Sequence, residues 1–332
     1  HSERTAPERR RAGERLFDLT SVDPDTEPTA ARRVGGAVEV AWPGAGAPSR
    51  FDLDWLRAHR PGRPVEDPAA IAPRLWRAER GAEGILRAEA AAVLGSDVAL
   101  EEWMRATKRF GLSIIAGLED RSDAGTAVAG RIGFLRQTNF GTTFEVVSSP
   151  RANNLAYTAL ELPLHTDLPN QELPPGYQFL HCLANEAEGG ESVFADAFAL
   201  AADLRAADPE AFGLLSTVAI PFRFHDADTD IRVHRPVIGL DSEGAVNEVS
   251  WNAHIASFFD MAPEVIEPYY RAYQRFMRMT RDAVYRVELK LEAGEMVVFD
   301  NRRVLHGRAA FDPSTGHRHL HGCYVDRVEF DS

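Results

Sequence analysis

The chain has 332 residues, of which 44% are hydrophobic and 26% charged, so it can bury a large core and lacks the bias of a disordered segment. Fifty acidic residues against 37 basic ones give a formal charge of −13, which argues against a general polyanion binder, because phosphate contacts need clustered positive charge. Two cysteines, Cys182 and Cys323, exclude a disulfide scaffold, a cysteine-rich zinc site and an iron–sulfur centre. Each lies in an apolar or aromatic run and reads as a buried reduced thiol. With no 18-residue apolar run and no signal-peptide pattern, the expected setting is a reducing cytoplasm, with neither membrane nor nucleic acid as partner.

Residues 1–31 read as a short helix followed by a polar linker. From Val34 the text alternates (VGGAVEVAW), turns through PGAGAPS and continues as RFDLDWLRAHR, a small β-hairpin leading into a helical turn. Four prolines fall within residues 61–73. A small N-terminal β domain is therefore expected over 1–62, a linker over 63–73 and the main domain over 74–332. Within that domain, helical spacing marks Leu100–Phe110 and Ala124–Leu135, with Ile114 and Ile115 on a strand between them. From Tyr177 short strands alternate with turns: YQFLHCLAN, ESVFADAF, AIPFRFH, PVIGL and AVNEVSW. An amphipathic helix over about Pro263–Ala283 interrupts them, and YRVELKL, EMVVFDN and HLHGCYVDRV follow. The pattern predicts a mainly β protein with flanking helices, a jelly roll (double-stranded β-helix) with a cavity between its sheets.

The densest chemistry lies in LPLHTDLP, residues 162–169. His165 and Asp167 are two apart, so on a strand they share a face and can grip one ion. A third ligand has to come from elsewhere, and His306 in FDNRRVLHGR is the best candidate, following a hydrophobic strand and a turn. Two histidines and a carboxylate on one face of an ion leave positions open, as in the facial triad of non-haem Fe(II) oxygenases. A lone His-x-Asp occurs by chance, and His181, His225, His234, His254, His317, His319 and His321 compete for the third place. Arg318 separates the alternatives. An iron centre of this type takes a bidentate 2-oxo acid, whose far carboxylate suits the two-pronged guanidinium.

These residues sit in text that resembles the 2-oxoglutarate-dependent oxygenases of the gamma-butyrobetaine hydroxylase group, related to trimethyllysine hydroxylase and, more distantly, taurine dioxygenase. The matching segments are RIGFLRQTNFGTTFEV (131–146), NNLAYTALELPLHTDLPNQELPPGYQFLHCL (153–183), GGESVFADAF (189–198), FDNRRVLHGRAAFDP (299–313) and RHLHGCYVDR (318–327). The resemblance implies Fe(II) held by His165, Asp167 and His306, and 2-oxoglutarate held by Arg318 with help from Ser192. It also implies O₂ as oxidant and ascorbate as reductant. A trimethylammonium head is expected in an aromatic cage of Phe140, Phe144, Tyr157 and Tyr324. A quaternary ammonium has no N–H to donate, so ring faces are what can recognise it; core packing is the plain alternative for these four. Asn154 and Asn252 match the polar positions that meet the substrate's carboxylate, and His254, Arg223 and Arg232 are further candidate anion contacts.

The implied reaction is hydroxylation of gamma-butyrobetaine to L-carnitine with release of succinate and CO₂. Other trimethylammonium compounds (trimethyllysine, another betaine, a phosphonate), a catalytically silent amine-binding module and a zinc hydrolase are the alternatives. The sequence departs from the family in two places. Relatives carry an N-terminal zinc held by three cysteines and a histidine, whereas no cysteine precedes Cys182 here, so no zinc is expected in this chain: the site is lost, or the chain begins after the cysteine-bearing segment. The chain also stops soon after DRVEF, where relatives continue with a helix, which leaves the family's homodimer open.

Overall fold

The computed structural model describes residues 18–62, 67, 69–147 and 158–331. The chain divides into two compact units, His1–Ala70 and Ile71–Ser332. In the first, strands β1 (Ala30–Val34), β2 (Ala37–Ala41) and β3 (Ser49–Asp52) form an antiparallel sheet in that order. Val34 pairs with Ala37, so Gly35 and Gly36 make a two-residue turn whose positive φ at Gly35 (60°) suits glycine. Asp52 then caps the short helix α1 (Leu53–Ala58) by accepting from the Trp55 N–H.

The second unit opens with β4 (Leu86–Glu89), helices α2 (Ala90–Gly95) and α3 (Asp97–Phe110), β5 (Leu112–Ala116) and α4 (Ser122–Ile132). Helix α3 starts on a Ser96 cap and stops at Gly111, whose φ of 74° is the left-handed conformation that ends helices. Then come β6 (Thr143–Val147), β7 (Leu162–His165), β8 (Tyr177–Asn185), β9 (Glu188–Gly189) and β10 (Ser192–Asp196). Helices α5 (Ala197–Ala207) and α6 (Pro209–Thr217) lead to the hairpins β11 (Ile220–His225) with β12 (Asp230–Arg235) and β13 (Ile238–Leu240) with β14 (Val246–Val249). Helix α7 (Pro263–Arg281) precedes β15 (Val287–Leu289), β16 (Met296–Asp300), β17 (Val304–Arg308), β18 (Phe311–Asp312), β19 (Arg318–Val325) and the short α8 (Arg327–Phe330).

Two sheets build the core. One has six strands in the order β4-β5-β16-β8-β19-β6, and the other has four, β15-β10-β17-β7. Strand alternation sends Phe179, Val298 and Cys323 outward under α2–α4, where they pack with Trp103 and Val128. Ile114, Cys182, Val297, Phe299 and Leu320 face inward and meet Phe194 and Val304 of the smaller sheet. That sheet's other face, with Val193, Ala195 and Leu305, is covered by α5, α6 and α7 through Leu200, Phe212 and Phe276. The result is a mainly β unit of jelly-roll type with helices on both outer faces.

The strand reading of ESVFADAF needs correction. The strand ends at Asp196, whose side chain accepts from the Phe198 N–H and starts α5. A carboxylate that satisfies an orphan helix N–H stops the strand there.

Candidate active site

The cleft between the sheets has an empty volume of about 770 Å³, mouth included. Leu162, His165, Ser192, Phe194, His306 and Arg308 line it from the four-stranded sheet. Phe144, Gln178, Leu180, Arg318, Leu320 and Tyr324 line it from the six-stranded sheet.

His165 ends β7 and pairs in register with His306 on β17, so their rings lie 4.3 Å apart. Asp167 lies just beyond the end of β7, not on a strand with His165 as the spacing suggested. It reaches the same point because its backbone is clamped. Its N–H donates to Asn301 Oδ1 (2.7 Å), and Asn301 Nδ2 donates back to the Asp167 carbonyl (3.0 Å). Thr166 is tied to Trp251 in both directions, by N–H to carbonyl (2.6 Å) and Trp251 N–H to hydroxyl (3.0 Å). Leu168, with φ 54°, is the only non-glycine residue with positive φ among the described residues. These flanking bonds hold that strained turn in place.

His165 Nδ1 lies 2.9 Å from the Pro163 carbonyl, which fixes the proton there and leaves Nε2 as a free lone pair. Asp167 Oδ1 lies 3.3 Å from His165 Nε2 and 3.6 Å from His306 Nε2. One donor atom from each of the three lies within 4.8 Å of the others, and among the described residues no other group of three or more His, Cys, Asp or Glu does so. Burial raises the Asp167 pKa, but His306 and His165 more than offset it and hold the carboxyl well below its usual range. Burial, and next His165, lower that of His306. A carboxylate beside two imidazoles is the donor set a divalent transition metal takes, so these residues fit one.

Arg318, only 7% exposed, has no acidic partner among the described residues, and its Nε lacks any hydrogen-bond partner. Burial, and next the neighbouring Arg308, lower its pKa to about 10, so it remains a cation at neutral pH. A Cβ on Gly190 would lie 3.2 Å from its Nε, so a glycine there gives the guanidinium room. A desolvated, unpaired guanidinium is a prepared anion site. Ser192 lines the same cleft and pairs in register with Arg308.

Of the four expected cage residues, Phe140, Phe144 and Tyr324 line the cleft. Phe144 stacks on Tyr324 with centroids 5.1 Å apart. The ring of Phe144 lies across Gly322, where a Cβ would meet it at 2.4 Å. Tyr324 also donates its hydroxyl to Asp167 Oδ2 (2.7 Å), tying the aromatic wall to the His–Asp–His cluster. Tyr157 and Asn154 fall outside the described residues. Asn252 is engaged locally, donating to the Thr166 carbonyl (3.4 Å) and accepting from the His254 N–H (3.1 Å), and does not line the cleft. Arg223 and Arg232 both pair with Asp230 on the β11–β12 hairpin, away from the cleft lining.

A family model described as "Taurine catabolism dioxygenase TauD, TfdA family" matches residues 71–324. The chain belongs to this family. It is thereby a 2-oxoglutarate-dependent dioxygenase. A gamma-butyrobetaine dioxygenase from Pseudomonas sp. (strain AK-1) is 42% identical over 319 residues, covering 95% of this chain and 82% of that protein. The mitochondrial trimethyllysine dioxygenase of Gallus gallus is 29% identical, covering 96% and 76%. The solved structure of a putative alpha-ketoglutarate-dependent taurine dioxygenase from Burkholderia xenovorans shares the fold, with TM-score 0.56 and 14% identity over 77% of this chain and 92% of that one.

Three contributors escaped the sequence reading: Asn301, Gln178 and Arg308. Asn301 stands in the FDNRR text that supplied His306. Its role depends on a contact spanning 134 positions, which no local pattern encodes.

Proposed function

We propose that this TauD/TfdA-family protein is an Fe(II)- and 2-oxoglutarate-dependent hydroxylase of a trimethylammonium compound, with gamma-butyrobetaine as substrate and L-carnitine, succinate and CO₂ as products. One observation carries the reading. A single cleft holds a His–Asp–His donor cluster, a buried arginine without an acidic partner among the described residues, and an aromatic wall. The name of the Pseudomonas relative supports the choice of substrate.

His165, Asp167 and His306 would hold the iron, and Arg318 with Ser192 the distal carboxylate of 2-oxoglutarate. When bound, metal and co-substrate supply the activation of O₂ that hydroxylation needs, with ascorbate keeping the metal reduced. The chain supplies position. Phe140, Phe144 and Tyr324 offer ring faces to a head group that cannot donate a hydrogen bond, Tyr157 completes the cage, and Asn154 donates to the substrate's carboxylate. Asn301 and Trp251 hold the turn that aims Asp167. In this reading a small N-terminal β domain (1–62) is joined through 63–73 to the jelly roll, and the enzyme is cytoplasmic. Division of the chain into compact units after Ala70 supports that organisation.

Trimethyllysine is the second reading, favoured by the similarity to the Gallus gallus enzyme along 96% of this chain. The test is an incubation with Fe(II), ascorbate and 2-oxoglutarate against a panel of trimethylammonium compounds, read by mass spectrometry for a gain of one oxygen. Gamma-butyrobetaine is expected to give the product, and His165→Ala to abolish it. Product from trimethyllysine alone would install the second reading. No amine-stimulated succinate with any compound would reject the hydroxylase and leave an amine-binding module.

A further inference from the structure

We infer that Gln178 is a co-substrate-binding residue, whose side-chain amide donates a hydrogen bond to the metal-chelating end of the 2-oxo acid, opposite the end held by Arg318. This rests on the function proposed above and adds a contact that the family resemblance did not assign.

The first observation is an unsatisfied amide. Gln178 is 2% exposed and lines the cleft, and its Oε1 has no hydrogen-bond partner among the described residues. Buried side-chain amides are almost always satisfied, and leaving one unmet costs stability. A leucine or methionine would fill the position without that penalty. Which polar end of the amide faces the cleft is set by the partner it meets.

The second observation is register. Gln178 pairs directly with Phe299 on one side and Tyr324 on the other, so the three side chains share one face of the sheet. The ring of Phe299 packs 4.6 Å from that of His306, and the hydroxyl of Tyr324 bonds to Asp167. Gln178 therefore emerges between the two residues that touch the metal-ligand candidates. It sits at the metal end of the cleft.

Besides the three donors, the polar side chains lining the cleft among the described residues are Gln178, Ser192, Arg308, Arg318 and Tyr324. Ser192 and Arg308 are register partners, and Arg308 perturbs Arg318, so these three gather at the anion end. Tyr324 donates to Asp167. Gln178 remains as the donor at the metal end. A 2-oxo acid chelates through its keto oxygen and one carboxylate oxygen, which leaves the second carboxylate oxygen in need of a donor inside a low-dielectric cleft.

The test compares wild type with Gln178→Met, which keeps length and loses the amide, and with Gln178→Glu, which sets a carboxylate against a carboxylate. Fe(II)-loaded protein is titrated anaerobically with 2-oxoglutarate while the metal-to-ligand charge-transfer band is followed, and metal-free protein is melted separately. Gln178→Met is expected to weaken 2-oxoglutarate about tenfold to hundredfold. It should also shift the band and leave the metal-free Tm unchanged or higher. Gln178→Glu should weaken it further at neutral pH and recover as the pH falls. Wild-type affinity with an unshifted band in both variants would overturn the inference, as would a lowered metal-free Tm with unchanged binding, which would make Gln178 a packing residue. Absence of any band with wild type would instead overturn the function on which the inference stands.

Discussion

Arg303 and Arg318 flank β17 in the sequence, and both are buried, at 1% and 7% exposure. Arg303 is fully partnered: Nε and Nη2 reach the two oxygens of Asp196 (3.1 and 2.7 Å), and its other donors reach the carbonyls of Arg74 and Arg109. Asp196 in turn accepts from the backbone of Trp76 and Phe198. Arg318 faces the cleft with no acid near it among the described residues. Burial alone does not distinguish a structural cation from a ligand-binding one; the census of partners does. A buried charge that the fold has neutralised holds the fold, and one that it has left open awaits an anion.

The largest effect should come from breaking the paired arginine. Arg303→Ala strands Asp196 in the core and is expected to destabilise the protein by about 3–5 kcal/mol, read by denaturant unfolding. A loss under about 1 kcal/mol would contradict the structural role. The mirror experiment is Arg318→Met. Here 2-oxoglutarate affinity should fall by about a hundredfold, while the ligand-free protein melts at the same temperature or higher. Addition of 2-oxoglutarate should then no longer raise Tm as it does in wild type. A Tm drop like that of Arg303→Ala would erase the contrast.

A third buried base sharpens it. His181 is fully buried, and neither ring nitrogen has a partner among the described residues. Burial, and next His321 opposite it on β19, lower its pKa, with Asp120 opposing and Glu145 beyond His321. Because its folded pKa lies below the unfolded value, the unfolded chain binds more protons in the window below pH 6.5, and stability falls as the pH falls through it. Between about pH 7.5 and about pH 5.5, wild type should lose more Tm than His181→Leu does. Equal losses would remove His181 from the acid response.

The strands and the donor cluster were legible because each rests on local text: short apolar runs between turns for β8 and β16, His-x-Asp for two of the three clustered donors, and a basic residue on a strand after His306. The hidden parts rest on distance or on backbone detail. Asp196 and Arg303 are 107 positions apart, and the clamp of Asn301 on Asp167 spans 134. The early end of β10 was readable in principle, since Asp196 stands where a helix cap belongs. Asn252 matched a family position, yet its amide serves the turn that holds Thr166. That role came from packing around Trp251, which spacing does not carry.

The two thiols follow from the same packing. Cys182 and Cys323 are free and buried, with burial raising their pKa values to about 11 and about 12. Neither offers thiolate to an alkylating reagent while the sheets are closed, although both lie on the strands that floor the cleft. They form a native clock for opening of the barrel, with labelling rates that time how often the six-stranded sheet comes apart and how far a bound ligand delays it.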